Sequence, residues 1–201
     1  MCMGEGRHLR LLLAASRLID RLNERIGRTV YWMVLAAVLV SSANAVVRYV
    51  FDYSSNAWLE LQWYLFSSFF MIGAGYTLLR NEHVRIDIIY SRLSARARAV
   101  IDLLGGLFFL LPMAVLIMAL AWPVFSESFA LHETSPSANG LLRWPVKLMI
   151  PVGFCLLTLQ GISETIKRAA FLMKLIPDPT PHHVHGDDPT APHDLVEGSG
   201  Q

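Results

Sequence analysis

Residues 99–122 read AVIDLLGGLFFLLPMAVLIMALAW, a run whose single formal charge is Asp102. A helix needs about 20 apolar residues to cross a hydrocarbon core of roughly 30 Å, and this run suffices. Working outward, three more segments meet that demand, at about 29–47, 58–79 and 144–166. The chain is therefore expected to be an all-α membrane protein with four transmembrane helices. Composition agrees. Of the 201 residues 54% are hydrophobic and 16% charged, with mean hydropathy +0.43, whereas a soluble domain carries about a quarter charged residues. No span has the short apolar core and small-residue cleavage site of a secretory signal.

Orientation follows from where lysine and arginine fall. Arg7, Arg10, Arg17, Arg21, Arg25 and Arg28 precede the first span. Arg80, Arg85, Arg92, Arg96 and Arg98 lie between the second and third, and Lys167, Arg168 and Lys174 follow the fourth. The other two connections hold only Arg48 and Arg143, with Lys147 just inside the last span. Both termini and the middle loop are expected to be cytoplasmic. Trp58, Trp63, Trp122 and Trp144 then fall near the outer interface, where indole rings prefer to sit.

The chain divides into a segment 1–28, a membrane domain 29–176 and a tail 177–201. Within 9–28, Leu11, Ala15, Leu18, Leu22 and Ile26 share one stripe, and Arg10, Arg17, Arg21, Glu24 and Arg28 lie opposite. Such a basic amphipathic helix suits the cytoplasmic interface, with packing on a partner protein as the alternative. The middle loop repeats the pattern. Ile86, Ile89, Leu93, Ala97 and Ile101 share a face and predict an interfacial helix continuous with span three, where Arg98 reaches Asp102 at i+4. The tail, rich in Pro, His, Asp and Gly, predicts disorder. His182, His183 and His185 there lack the preorganised geometry of a specific metal site, and no metal is expected.

Polar groups within the spans are few. Ionisable residues in hydrocarbon are functional leads because each costs about 2.5–3.5 kcal/mol at a helix centre. Glu60, Asp102, Lys147 and Glu164 all lie near span ends, where Lys147 can snorkel and Glu164 can reach Arg168. Ser41, Ser42, Asn44, Ser67, Ser68, Thr158 and Gln160 suit helix–helix hydrogen bonding. The spans hold no histidine for a haem, and no Walker A or catalytic constellation occurs. No cofactor, enzyme activity or nucleic-acid partner is expected. The chain reads as an accessory membrane subunit.

Span two and the loop after it carry a resemblance. Glu60-Leu61-Gln62-Trp63-Tyr64-Leu65-Phe66, Gly73-Ala74-Gly75-Tyr76-Thr77 and His83-Val84-Arg85-Ile86-Asp87 resemble the small membrane subunit of tripartite ATP-independent periplasmic (TRAP) transporters. Glu133-Thr134-Ser135, Trp144-Pro145-Val146-Lys147, Pro151-Val152-Gly153-Phe154 and Leu159-Gln160 support it, and look most like the branch labelled mannitol/chloroaromatic. The resemblance implies a small permease of a sodium-driven importer in the bacterial inner membrane. Its partners would be a large transport subunit, a periplasmic solute-binding protein that captures an organic acid, and membrane lipid. It singles out Glu60, Trp63, His83, Arg85 and Asp87 as motif positions with structural or interface roles. Asp87 would cap the following helix, and Arg85 would reach lipid phosphate or a carboxylate of the large subunit. Two rival classes are a stand-alone homo-oligomeric four-helix transporter and the membrane anchor of a redox complex. The first needs a membrane-embedded acid facing a cavity, for which only Glu60 is a candidate. The second needs histidines within the spans.

Overall fold

The computed structural model describes residues 3–53, 55–81 and 93–177, with side chains from Arg10 onward. Helix α1 runs Met3–Phe51 and α2 Asn56–Arg80. After the middle loop come α3 (Ala95–Gly105), a five-residue widened turn Gly106–Leu110 and α4 (Leu111–Ala130). Helix α5 spans Trp144–Leu172. The described residues contain no strand, only a lone antiparallel bridge between Thr134 and Leu142. Helix α5 is the centre, packing on α1, α2, α3 and α4, while α1 and α2 also pack on each other.

Several helix ends follow from single residues. Asn81 adopts a left-handed conformation (φ 55°) and returns its N–H to the Leu78 and Thr77 carbonyls, closing α2. Ser94 caps α3 by accepting from the Ala97 N–H at 3.3 Å. That cap corrects the expectation of one helix running unbroken from Ile86: the helix of span three starts after Ser94. Pro112 explains the widened turn. A proline cannot donate to the carbonyl four residues back and its ring crowds that carbonyl. The chain opens by one residue ahead of it, with the Leu111 N–H bonding to Gly106, five back.

Packing is inverted relative to a soluble protein. Among the described residues, Leu156 apart, the buried side chains are mostly small or polar: Ala37, Ala99, Ala114 and Ala170, with Ser16, Asn23, Ser128, Gln160 and Ser163. Large apolar residues such as Trp32, Phe108, Phe109 and Leu120 face outward. Small residues bring backbones together where lipid gives no hydrophobic drive between helices. Gly153 shows how close, since a Cβ there would lie 2.6 Å from the Met71 carbonyl oxygen of α2.

Three helical stretches have the length and composition to cross a membrane: Arg10–Phe51, Ala95–Ala130 and Trp144–Leu172. Helix α2 contains the expected second span and, at 25 residues, is about 37 Å long. Its most apolar stretch is less so than theirs, because Glu60, Gln62, Tyr64, Ser67 and Ser68 dilute its leucines and phenylalanines. Helix α1 passes Arg28 without interruption over 49 residues, about 73 Å and more than twice the hydrocarbon thickness. Its leucine stripe does not face the other helices, and Leu11, Leu18 and Leu22 stay exposed.

Candidate functional site

A third stripe of α1, neither the leucines nor the arginines, docks on the bundle. Ser16, Asp20, Asn23 and Gly27 recur at alternating steps of four and three, the spacing of one helix face. They meet Gln160, Ser163, Glu164 and Lys167 of α5. The Ser16 and Ser163 hydroxyls are 2.7 Å apart, and Ser163 donates to Asp20 Oδ1 at 2.7 Å. Asn23 Nδ2 donates to Gln160 Oε1 at 2.9 Å. Gln160 Nε2 in turn donates to Asp20 at 3.0 Å and Glu164 at 3.2 Å. Lys167 closes the network, 3.2 Å from Asp20 Oδ2 and 2.5 Å from Glu164 Oε1. Gln160, of which nothing is exposed, joins α1 to α5 through both ends of its amide. The small Gly75 of α2 lets that helix approach, since a Cβ there would stand 2.6 Å from Asn23 Oδ1.

Further ion pairs lie at the same level. Arg80 at the end of α2 reaches Glu24 of α1 at 2.6 Å and sits 5.4 Å over the Tyr76 ring. Asp102, expected to serve its own helix through Arg98, meets Arg168 of α5 at 3.3 Å. Glu164, expected to reach Arg168, is held instead by Lys167 and Gln160. These groups form a belt at the arginine-rich end of the bundle.

A second cluster sits at the opposite end. The loop between α4 and α5 folds over the start of α2, and Glu60 holds it there. The Glu60 carboxylate accepts from the Ser135 hydroxyl and, at 2.7 Å, from the Leu141 N–H. Within the loop Ser135 N–H bonds to the Leu141 carbonyl at 2.9 Å, and Arg143 N–H to that of Glu133 at 2.8 Å. Glu133 binds Lys147 and accepts from Ser128 at 2.7 Å, with Arg143 at 3.3 Å. Lys147 is thus paired with the loop, where snorkelling to solvent was expected. Hydrogen bonding by the Lys147 ammonium, then by the Ser128 hydroxyl, lowers the Glu133 carboxyl to about 2.

Of the residues singled out from sequence, Glu60 is therefore a clamp on a loop. Trp63 is 67% exposed and touches Phe66 edge to face, with ring centroids 6.5 Å apart. His83, Arg85 and Asp87 lie outside the described residues. The network of Ser16, Asp20 and Asn23 escaped the sequence reading, although the spacing of these small polar residues was its signal. Among the described residues no group of three or more His, Cys, Asp or Glu is arranged to hold a metal.

Two grooves open on the surface of the bundle. One of about 760 Å³ lies between α3, the widened turn and α5. The other, about 620 Å³, lies between α1 and α2 beside Gly27, Tyr31 and Gly73.

Comparison with known proteins adds the family. Neither a curated protein nor a solved structure matches the chain. Residues 37–171 match the family described as tripartite ATP-independent periplasmic transporters, DctQ component. The match covers more than half the chain and takes in α2, α3, α4 and most of α5, so the protein is a multi-pass membrane protein and belongs to the DctQ family of small TRAP permease subunits, a family of transporter components and not of enzymes.

Proposed function

We propose that this chain is the stationary scaffold of a sodium-driven, binding-protein-dependent importer of organic acids, holding a large transport subunit in the bacterial inner membrane. The observation that carries the reading is where its polar chemistry goes. In the described bundle most of the buried polar side chains join helix to helix, as Gln160, Ser163 and Arg168 do, while the outward faces carry large apolar residues. Such a molecule offers surface to a partner and to lipid.

Four spans fit the two polar belts. Glu60 and Arg80 mark the ends of α2, and twenty residues of helix cover about 30 Å, the thickness of the hydrocarbon core. The same rise separates Arg28 from Arg48 on α1. The arginine-rich belt then faces the cytoplasm together with both termini, and the Glu60 clamp faces the periplasmic binding protein. His83, Arg85 and Asp87 follow α2 on the cytoplasmic side and are assigned to the seam with the large subunit.

The test is reconstitution. Liposomes containing this chain with its large subunit, supplied with binding protein, should accumulate the organic acid in response to a sodium gradient, and liposomes with either membrane subunit alone should not. Robust uptake by the isolated chain would make it a stand-alone transporter and sink the scaffold assignment.

A further inference from the structure

A third groove, of about 550 Å³, lies between α1 and α2 at the end opposite the arginine-rich belt. Ser41, Asn44 and Arg48 line it from α1 and Gln62 from α2, with Asp52 at its mouth. The three α1 residues follow at steps of three and four, so they share one face of the helix. Along the axis Arg48 stands about 6 Å from Asn44 and about 10 Å from Ser41. Other hydroxyls of the helices are satisfied within their own helix. Ser68, Thr77, Thr158 and Thr165 each donate to the carbonyl four residues back. Among the described residues Ser41, Asn44, Arg48 and Gln62 make no side-chain hydrogen bond and no ion pair. The other cations at this end, Arg143 and Lys147, are both paired with Glu133. Asp52 lies past the end of α1 in a left-handed turn (φ 50°) and does not pair with Arg48.

We infer that this face is the seam against one helix of the large transport subunit. That helix carries a carboxylate at its outer end and amide or hydroxyl side chains one and two turns deeper. The inference deepens the scaffold reading, and rests on it and on the crossing of α1 and α2. In a crossing α1, Arg48 lies near the outer interface, and Ser41 and Asn44 lie below it in the hydrocarbon. Water does not satisfy polar groups at that depth, so each unbonded amide carries a desolvation cost until a protein partner bonds it. A lipid phosphate would pair with Arg48 but would lay its acyl chains over Ser41 and Asn44 and leave them unbonded. A second copy in the same orientation would bring its own Arg48 to the same depth, like charge against like. A helix with an acid above and amides or hydroxyls below satisfies the whole row at once.

The test uses the membrane complex, purified through a tag on the large subunit, with the retained small subunit quantified. Arg48→Glu should lower retention about tenfold, and Asn44→Leu and Gln62→Leu about threefold each. None of the three should lower the melting temperature of the small subunit alone, because no bond within the chain is lost. Should Arg48→Glu fail to fold, Arg48→Gln takes its place. In membranes, a photoreactive side chain placed at Ala45, which also lines the groove, should cross-link to the large subunit within two turns of an acidic residue. Cross-linking to a second copy of the chain, or to lipid alone, would overturn the proposal. Wild-type retention of both the Arg48 and the Asn44 variants would overturn it too. The scaffold reading fails separately, when the wild-type chain does not co-purify with the large subunit at all.

Discussion

Glu60 and Gln160 are both hydrogen-bonded polar residues at helix contacts, yet they respond to substitution differently. Glu60 accepts two bonds at the rim of the bundle, from the Ser135 hydroxyl and the Leu141 N–H. A glutamine there keeps both, because its oxygen accepts from Leu141 and its amide donates to a Ser135 hydroxyl turned the other way. Glu60→Gln should therefore melt like wild type and support transport in the assembled complex. Glu60→Ala frees the loop, and proteolysis within residues 131–143 should be about tenfold faster. Loss of transport in Glu60→Gln with normal assembly would instead give Glu60 an ion-coupling role. Gln160 has no such latitude. Its amide serves Asn23, Asp20 and Glu164 at once, with nothing exposed. Interhelical hydrogen bonds in membranes average only about 0.6 kcal/mol. Stranding several buried partners costs more, so Gln160→Ala should lose about 1–3 kcal/mol in reversible unfolding. Adding Asn23→Ala should cost less than it does alone, since the two residues share one bond.

Among the elements, α1 and the α4–α5 loop carry the consequences. Helix α1 divides its circumference three ways, with arginines and leucines exposed and a narrow stripe of Ser16, Asp20, Asn23 and Gly27 toward α5 and α2. Docking by that stripe leaves Leu11, Leu18 and Leu22 for lipid or a partner. The loop should respond to pH. Its Glu133 carboxyl sits at about 2, below its ordinary 4.5, because Lys147 and Ser128 bind the charged form. A depressed carboxyl contributes stability that is complete above its unfolded value and is lost as pH falls toward the folded one. The loop should thus stay clamped at neutral pH and loosen between about pH 4.5 and about 2. Pepsin cleavage of the loop across that window, divided by its rate on an unfolded substrate at each pH, should rise with acidity, and Glu133→Gln should reduce that dependence, leaving the part due to Glu60. A wild-type loop cut at the same rate at both ends of the window would show that the pairing does not hold it.

For the whole molecule the open quantity is the parity of the crossings. Four crossings put both termini on one side, whereas three put them on opposite sides. The belts marked by Glu60 and Arg80 on α2 lie about 30 Å apart, which favours four. Reporter domains fused at each end of the chain should both be active only in the cytoplasm. Activity of one of them in the periplasm would mean that α2 does not cross. The helical class and the positions of the long apolar runs were readable from sequence, because a run such as 99–122 leaves few ways to satisfy its backbone in lipid. The start of span three was not, since Leu93 continues the apolar spacing although Ser94 caps a new helix. Partner choice was also hidden: Asp102 meets Arg168 of α5, and Glu164 binds Lys167 and Gln160 where Arg168 was expected.

What the sequence by itself determined is what depends on composition and short-range spacing. That covers membrane residence, the helical class, the charge asymmetry from which an orientation is proposed, and the Glu60, Trp63 and Gly73-to-Thr77 strings that carry the family resemblance. Only the tertiary structure decided which of α1's stripes faces inward. Hydrophobic periodicity signals an inward face in water, where burying leucine lowers the free energy. Where a lipid interface or a partner covers it, leucine gains nothing by turning toward the bundle, so interhelical hydrogen bonds and close backbone contact choose the face. Those depend on residues 137 to 147 positions apart in the chain, as Asn23 is from Gln160 and Ser16 from Ser163. No local pattern records such a pairing, and it exists only once α5 lies beside α1.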